Sequence, residues 1–396
     1  MLETQGKFEN MFQSACATLC SNETGRNEAL KFISQVLNPS YNVTISPSWT
    51  EALSVSQKEG LSFLLYKGLI KRGIDMPPPI RAQLKKEYIN NWGRNVRILE
   101  ELAALLRMLD NPIIILKGAS LLSSVYEDFG IRGLGDVDIL VKPAEVPQLD
   151  KVLSQLGYRS FVRLDSFRVS NCYNSQLYRK RGSPLFLHLH WHWVNDALPN
   201  YIYAEKINAD KLWKEAVPLK IRQADALCLA LHHQLLHLSE HAMRHSYNLL
   251  IHVWDIHRVI NHWKEKLDWE KLCNEAEEFQ LRRPLFYSLW LSKEYFGASV
   301  PREVLETLYP RRKGLGERIF SRLLRQGKRK ENLCYFFYFS NISGWQKRIK
   351  FILRVVAPAR EVIARMEGIE QGRQSTLRLR VALRKFQRIL RFFSKN

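Results

Sequence analysis

Residues 113–141 read IIILKGASLLSSVYEDFGIRGLGDVDILV, and the rest of the chain arranges itself around them. The β-branched run Ile113 to Leu116, bounded by Pro112 and Gly118, has the pattern of a buried strand. Lys117, Gly118, Ala119 and Ser120 then lead into the apolar-periodic segment Leu121 to Tyr126, which puts a small-residue turn at a helix N-terminus. Unpaired backbone N–H groups, the positive dipole end and the Lys117 ammonium suit a phosphate there. After the loop Gly130 to Gly135, Asp136 and Asp138 alternate with Val137, Ile139 and Val141. A period of two sets both carboxylates on one face about 7 Å apart, a spacing that suits a hard divalent cation carrying a nucleotide's phosphates.

The turn Gly118-Ala119-Ser120, the spacer and Asp136-Val137-Asp138 together resemble the signature of the DNA polymerase beta-like nucleotidyltransferase superfamily. More narrowly, LKGASLL, Tyr126, Arg132, DVDILV, Leu189-His190-Trp191 and the WDIHR stretch Trp254 to Arg258 resemble the uncharacterised type 5 nucleotidyltransferase family. The likeness runs from Ser48 to Ile260 and more weakly to Met366. It implies Mg²⁺ or Mn²⁺ held by Asp136 and Asp138, and a nucleoside triphosphate whose phosphates rest on Lys117, Gly118 and Ser120. It further implies Arg132 against developing charge and transfer of the nucleotidyl group to an acceptor hydroxyl that the sequence does not identify. In relatives with a DLHW-like segment the acidic residue would be the third catalytic carboxylate; here that position is His188. Two expectations follow. Either His188 serves as the base, or the chemistry is lost and the fold persists as a binding module. The resemblance also matches His241, His245 and Asp255 to recurring residues that would line the cleft. The alternative is helix packing, with Asp255 bonded to Arg258 or another neighbour.

His188, His190 and His192 alternate with Leu187, Leu189, Trp191 and Trp193 on the last of three strands expected after Val141, over 158–164, 176–181 and 185–193. Three roles are open to this triplet: a transition-metal site, a proton or phosphate role for His188 or His190 beside the aspartates, or structural histidines on a half-polar face. All eleven histidines fall between positions 188 and 262, and His233, His237 and His241 step by four, with His245 continuing the interval if the helix does. No His-Glu-x-x-His pattern accompanies them.

The expected fold class is α+β: a small mixed sheet with a helical lead-in and a mainly helical C-terminal region. Residues 1–110 form the lead-in, 111–200 the nucleotidyltransferase-like core, 201–310 a helical domain and 311–396 a basic helical tail. Within the lead-in, Ser48 and Glu51 have capping-box spacing before a helix over 52–69 that stops near Gly73. Pro77 to Pro79 form a connector, and Leu84, Tyr88, Trp92, Val96, Leu99, Leu102 and Leu106 make one stripe of a long helix over 80–109. Pro143 to Leu156 reads as a helix stopped by Gly157, and the chain reads as helical from Ala224 to Phe296.

A 396-residue chain with 46% apolar residues is long enough for two or three domains. It contains no run of 18 apolar residues, and MLETQGKFENMF lacks a signal-like apolar core, so a cytoplasmic location is expected. The six cysteines lack a Cys-x-x-Cys pair and read as reduced thiols; Cys16 and Cys20, which can share a helix face, make a poor zinc site without further ligands. The formal charge is +21, and residues 311–396 hold 23 Lys and Arg against 5 Glu. Within that tail, the helix expected over 377–393 sets an apolar stripe against Arg and Lys. It suits an anionic surface at the inner face of a membrane, nucleic acid less well, or packing on its own protein.

Overall fold

A computed structural model describes residues 24–160, 174–194, 203 and 206–356. The lead-in comprises α1 (Thr24–Leu37), α2 (Trp49–Lys58), α3 (Ser62–Lys71) and α4 (Pro78–Leu106). The helix expected over 52–69 is thus two helices, parted at Gly60, whose φ is 72°. The break lets Glu59 turn inward, where its carboxylate accepts from Arg329 at 2.7 and 2.8 Å and from the Leu250 N–H at 3.1 Å. Ser48 is the N-cap of α2, but its hydroxyl pairs with Thr50 rather than with the backbone, so the capping box does not form. Pro78 opens α4 instead of belonging to a connector, because the first turn of a helix has no use for its missing N–H. Gly73, at φ 63°, ends the segment after α3 as expected.

The sheet follows: β1 (Ile114–Ile115), α5 (Lys117–Ser124), β2 (Val137–Leu140), a 3₁₀ turn (Pro143–Glu145), α6 (Val146–Gln155), β3 (Arg159–Ser160), β4 (Ser175–Arg179), β5 (Phe186–His190), α7 (Ala209–Lys214), β6 (Val217–Ile221) and β7 (Ala224–Cys228). The strand order is β3-β4-β5-β2-β1-β7-β6. The β2/β5 and β1/β7 pairs are parallel and the others antiparallel, so this is the mixed sheet of an α+β fold. Reading the chain as helical from Ala224 is corrected here. Ala224, Ala226 and Cys228 are buried in alternation with exposed Asp225 and half-buried Leu227, the period of a strand, although small side chains give a weak strand signal.

Eight helices complete the described residues: α8 (Leu231–Arg244), α9 (Leu250–His262), α10 (Trp269–Glu278), α11 (Arg282–Phe296), α12 (Arg302–Leu308), α13 (Leu315–Arg325), α14 (Cys334–Asn341) and α15 (Trp345–Val356). Among the described residues no helix is long and apolar enough to cross a membrane. The helix expected over 377–393, Cys16, Cys20 and Cys172 lie outside them.

One element positions the loop that carries the site. On α4 the buried face is not wholly apolar, since Asn91 and Asn95 are buried whereas Trp92 is 46% exposed. Asn91 donates to Gly130 O at 2.9 Å, and Asn95 donates to Phe129 O at 2.6 Å and Arg132 O at 2.7 Å. Arg94 donates to Leu134 O. A buried loop must have its carbonyls satisfied, and α4 does so from the side. The same close approach explains Gly130, where a Cβ would meet Tyr88 Cζ at 2.7 Å.

Candidate functional site

Parallel pairing of β2 with β5 puts Asp138 directly beside His188 and Leu140 beside His190. Val137, Ile139, Leu187 and Leu189 fill the opposite face and are almost completely buried. The polar face is therefore fixed in register by an apolar one, since a slip of one residue would exchange them. On it, Asp138 Oδ1 lies 2.8 Å from Lys117 Nζ, 2.8 Å from His190 Nε2 and 3.2 Å from His188 Nδ1. Asp136, with a side chain 49% exposed, brings Oδ2 to 3.7 Å from the same His188 nitrogen. His188 Nε2 lies 3.1 Å from Ser175 Oγ on β4. Burial works to raise the Asp138 carboxyl, but the Lys117 charge and the bonds from both imidazoles outweigh it and hold the group well below the usual carboxylate range. Burial, with the neighbouring His188, keeps His190 neutral.

Lys117 reaches Asp138 because the chain reverses sharply between β1 and α5. Its φ is 48°, a left-handed value that an L residue other than Asn or Asp seldom takes. Held strain of this kind, on the order of 1–3 kcal/mol, clusters at functional positions. The rest of the turn is covered. Gly118, Ala119 and Ser120 are buried, and a Cβ on Gly118 would sit 2.8 Å from Arg132 Cζ and 2.9 Å from Leu134 Cδ2. Ser120 Oγ accepts from Gln234 at 3.4 Å.

Arg132 is engaged elsewhere. Its guanidinium meets Asp255 through NH2 at 2.8 Å and Nε at 3.2 Å, while NH1 donates to Gly133 O at 2.7 Å. Tyr126 donates to the same carboxylate at 2.7 Å. Tyr126, Arg132 and Asp255, met separately along the sequence, thus form one buried network that pins the loop before β2 to α9. Arg258 stands over the Tyr126 ring at 5.8 Å instead of bonding Asp255.

Histidines from α8, the turn after it and α9 form a second wall. His237 stacks on Trp193 at 5.3 Å, while His241, His245 and His252 cluster with ring centroids 4.7, 4.9 and 5.8 Å apart. His245 is not on the helix; α8 ends at Arg244, and positive φ at Ser246 and Tyr247 turns the chain. Burial first, and then nearby cations, lower the basicity of all three, to about 3 for His245 and His252. Among those cations is Lys117, and Asp136 acts in the opposite sense on His245, which ties this wall to the aspartate face. His237 was marked in the sequence by its step of four from His233, but His252 was not singled out. The available signal was the three-residue step from His252 to Asp255 along one helix face.

Among the described residues, Asp138, His188 and His190 form one group whose ligand atoms lie within 4.8 Å of one another. His192 does not join them: β5 ends at His190, and His192 Nδ1 is bonded to the Val194 backbone. The family profile described as "uncharacterised nucleotidyltransferase" matches residues 46–297, so the chain belongs to that family. No curated protein matches it.

Proposed function

We propose that this member of the nucleotidyltransferase family moves a nucleotidyl group from a nucleoside triphosphate to an acceptor hydroxyl. The acceptor oxygen attacks the α-phosphorus, the bond to the bridging oxygen of the β-phosphate breaks, pyrophosphate leaves, and the acceptor proton passes to His188. The observation that carries the reading is the convergence on buried Asp138 of Lys117, His188 and His190, with half-exposed Asp136 beside them.

These donors fit a divalent cation. As it stands His188 Nδ1 donates to Asp138; to act as base the ring takes the tautomer protonated on Nε2, which donates to Ser175 and leaves the Nδ1 lone pair for the acceptor proton. Asp136 and Asp138 would hold Mg²⁺ or Mn²⁺, carboxylate ligands suiting either ion. When bound, such an ion neutralises the triphosphate and polarises the α-phosphoryl group. Lys117, drawn from Asp138 to the phosphates, supplies a compact point charge. Arg132 acts through position: paired with Asp255, it sets the loop that delivers β2.

The test is a calorimetric titration with nucleoside triphosphates in the presence of Mn²⁺ or Mg²⁺, followed by label transfer from an α-labelled nucleotide to an acceptor panel. Cation-dependent binding that disappears in Asp138→Ala is expected; binding that survives there removes the site. The second reading, a binding module, is favoured by one observation: Lys117 already neutralises the carboxylate that a cation requires. Binding without transfer, in the parent and in His188→Asp alike, would select it.

For the tail we propose contact with an anionic bilayer at the cytoplasmic face, with nucleic acid the lesser alternative. On α15, Trp345 (70% exposed), Ile349 and Leu353 (58% exposed) form one outward stripe at steps of four, flanked by Lys347 and Lys350. The parent should sediment with anionic vesicles at low salt and not with neutral ones, and Trp345→Glu with Leu353→Glu should abolish it. Equal sedimentation with neutral vesicles, or none with either, ends this reading.

A further inference from the structure

A second cluster lies apart from the aspartate face, where the end of α7, the start of α8 and α10 meet. It contains Glu215, His232, His233 and Glu275, four residues whose ligand atoms all lie within 4.8 Å of one another. His233 is fully buried, His232 and Glu275 are more than nine-tenths buried, and Glu215 is half-buried. Consecutive residues on a helix point about 100° apart. His232 and His233 nevertheless bring their rings to 4.1 Å.

No hydrogen bond accounts for that approach at His232. Its Nε2 lies 3.0 Å from Glu215 Oε2 and 4.0 Å from Glu275 Oε1, yet this buried nitrogen makes no hydrogen bond. His233 Nε2 stands 3.3 Å from Glu275 Oε2. At His232 such spacing without donor–acceptor alignment is what a lone pair shows when it points at a centre shared with the carboxylates, while His233 Nε2 keeps a long hydrogen bond to Glu275 that a metal would replace. Four ligands about 2.0–2.1 Å from a tetrahedral ion stand about 3.3 Å from each other.

We propose that Glu215, His232, His233 and Glu275 bind a first-row divalent ion of the zinc class as a closed, four-ligand structural site. Two imidazoles with two carboxylates match that class rather than Mg²⁺ or Ca²⁺, which take oxygen shells. Burial leaves both imidazoles neutral, with lone pairs for a metal. Lys211 and Lys271 are the competitors, since Lys211 Nζ lies 2.7 Å from Glu275 and Lys271 Nζ 2.9 Å from Glu215. Both lysines are partly exposed, and Lys211 already reaches the surface residue Glu278 at 2.6 Å, so each has somewhere to go. The site would clamp α7 and α10 onto α8. It does so behind Trp193, whose ring meets His233 edge-on at 6.3 Å and follows the strand that carries His188 and His190.

The experiment uses the full chain and Co²⁺ alone as a spectroscopic probe, with Zn²⁺ as competitor. The intense visible absorption of a four-coordinate Co²⁺ site is expected in the parent. It should persist in a His188→Ala, His190→Ala double variant and weaken at least ~100-fold in apparent affinity in His232→Ala, with Zn²⁺ displacing it. Lys211→Met supplies the complementary arm: with its competitor gone, the site should bind the metal about tenfold more tightly or better. A signal that follows His188 and His190 instead of His232, or no four-coordinate signal, overturns the proposal. So does a Lys211→Met protein that loses thermal stability without binding more tightly, because a plain ion-pair network predicts that result.

Discussion

The clusters around Asp138 and Glu275 use the same side-chain types, two imidazoles with carboxylates and lysine, and end in different bonding states. At Asp138 one oxygen gathers Lys117, His188 and His190, and His190 meets it at hydrogen-bonding distance and alignment. A half-exposed carboxylate, Asp136, stands at the open side. At Glu275 a buried nitrogen of His232 is close to two carboxylates and bonded to neither. The first arrangement is satisfied as it stands, and on the proposed reading exchanges partners for a charged substrate; in the second His232 Nε2 has no hydrogen bond, the observation on which the proposed metal site rests. Composition alone does not separate such sites. The direction of lone pairs, the number of carboxylates and the exposure of the rim do.

The sharpest test of that division compares one carboxylate from each cluster. Asp138→Ala should cost nucleotide affinity on the order of 10³-fold, since it leaves the Lys117 and imidazole groups facing each other without the anion that joins them. Truncating one partner of a buried charge pair typically costs about 3–5 kcal/mol. Glu275→Gln should leave nucleotide affinity within about twofold of the parent. If the two variants behave alike in the same titration, the clusters are not functionally distinct.

A smaller effect separates roles within the first cluster. His188→Ala should slow transfer by ~10²-fold or more, the lower end of what lost general-base help costs. His188→Asp should recover it, because an acidic residue there rebuilds the carboxylate set that the family resemblance implies. Turnover of His188→Ala equal to that of the parent would make His188 a structural neighbour of Ser175 and nothing more.

What the sequence showed and what it hid divide along a physical line. Asp136 and Asp138 were legible because β-branched neighbours alternate with them, and β2 forms where that pattern sits. Alternation puts His188 and His190 on one face of their strand, but their register against Asp138 comes from the parallel pairing, which the sequence does not encode. β7 was hidden because Ala-Asp-Ala-Leu-Cys has little strand propensity, and it becomes a strand by pairing with β1. The Arg132–Asp255 pair spans 123 positions and His233–Glu275 spans 42. No local pattern encodes a contact that depends on where two helices dock. Asn95 shows the converse: a polar residue on the largely apolar buried face of α4, it bonds loop carbonyls, and the sequence shows the residue but not its target.

The smallest expected effect bears on the cluster of His241, His245 and His252. His252 packs with His241 and His245, and the charges that act on it are the cations Arg132, Lys117 and Arg244. Burial foremost, with those cations, pushes its folded value down to about 3, against about 6.5 in an unfolded chain. A depressed value means that the unfolded state takes up the proton first. The contribution of His252 to stability is therefore fully present above about pH 6.5 and drains away as the pH falls toward 3. At pH 5 a complete shift would amount to about 2 kcal/mol; the ring is partly exposed although its Nδ1 is buried, so about half of that is expected. His252→Gln removes the titration while keeping a polar side chain. Urea unfolding of parent and variant at pH 8 and pH 5 should show the variant gaining about 1 kcal/mol on the parent between the two pH values. A gap that stays constant would mean that His252 binds its proton equally well folded and unfolded. In that case the cluster of His241, His245 and His252 is open to water.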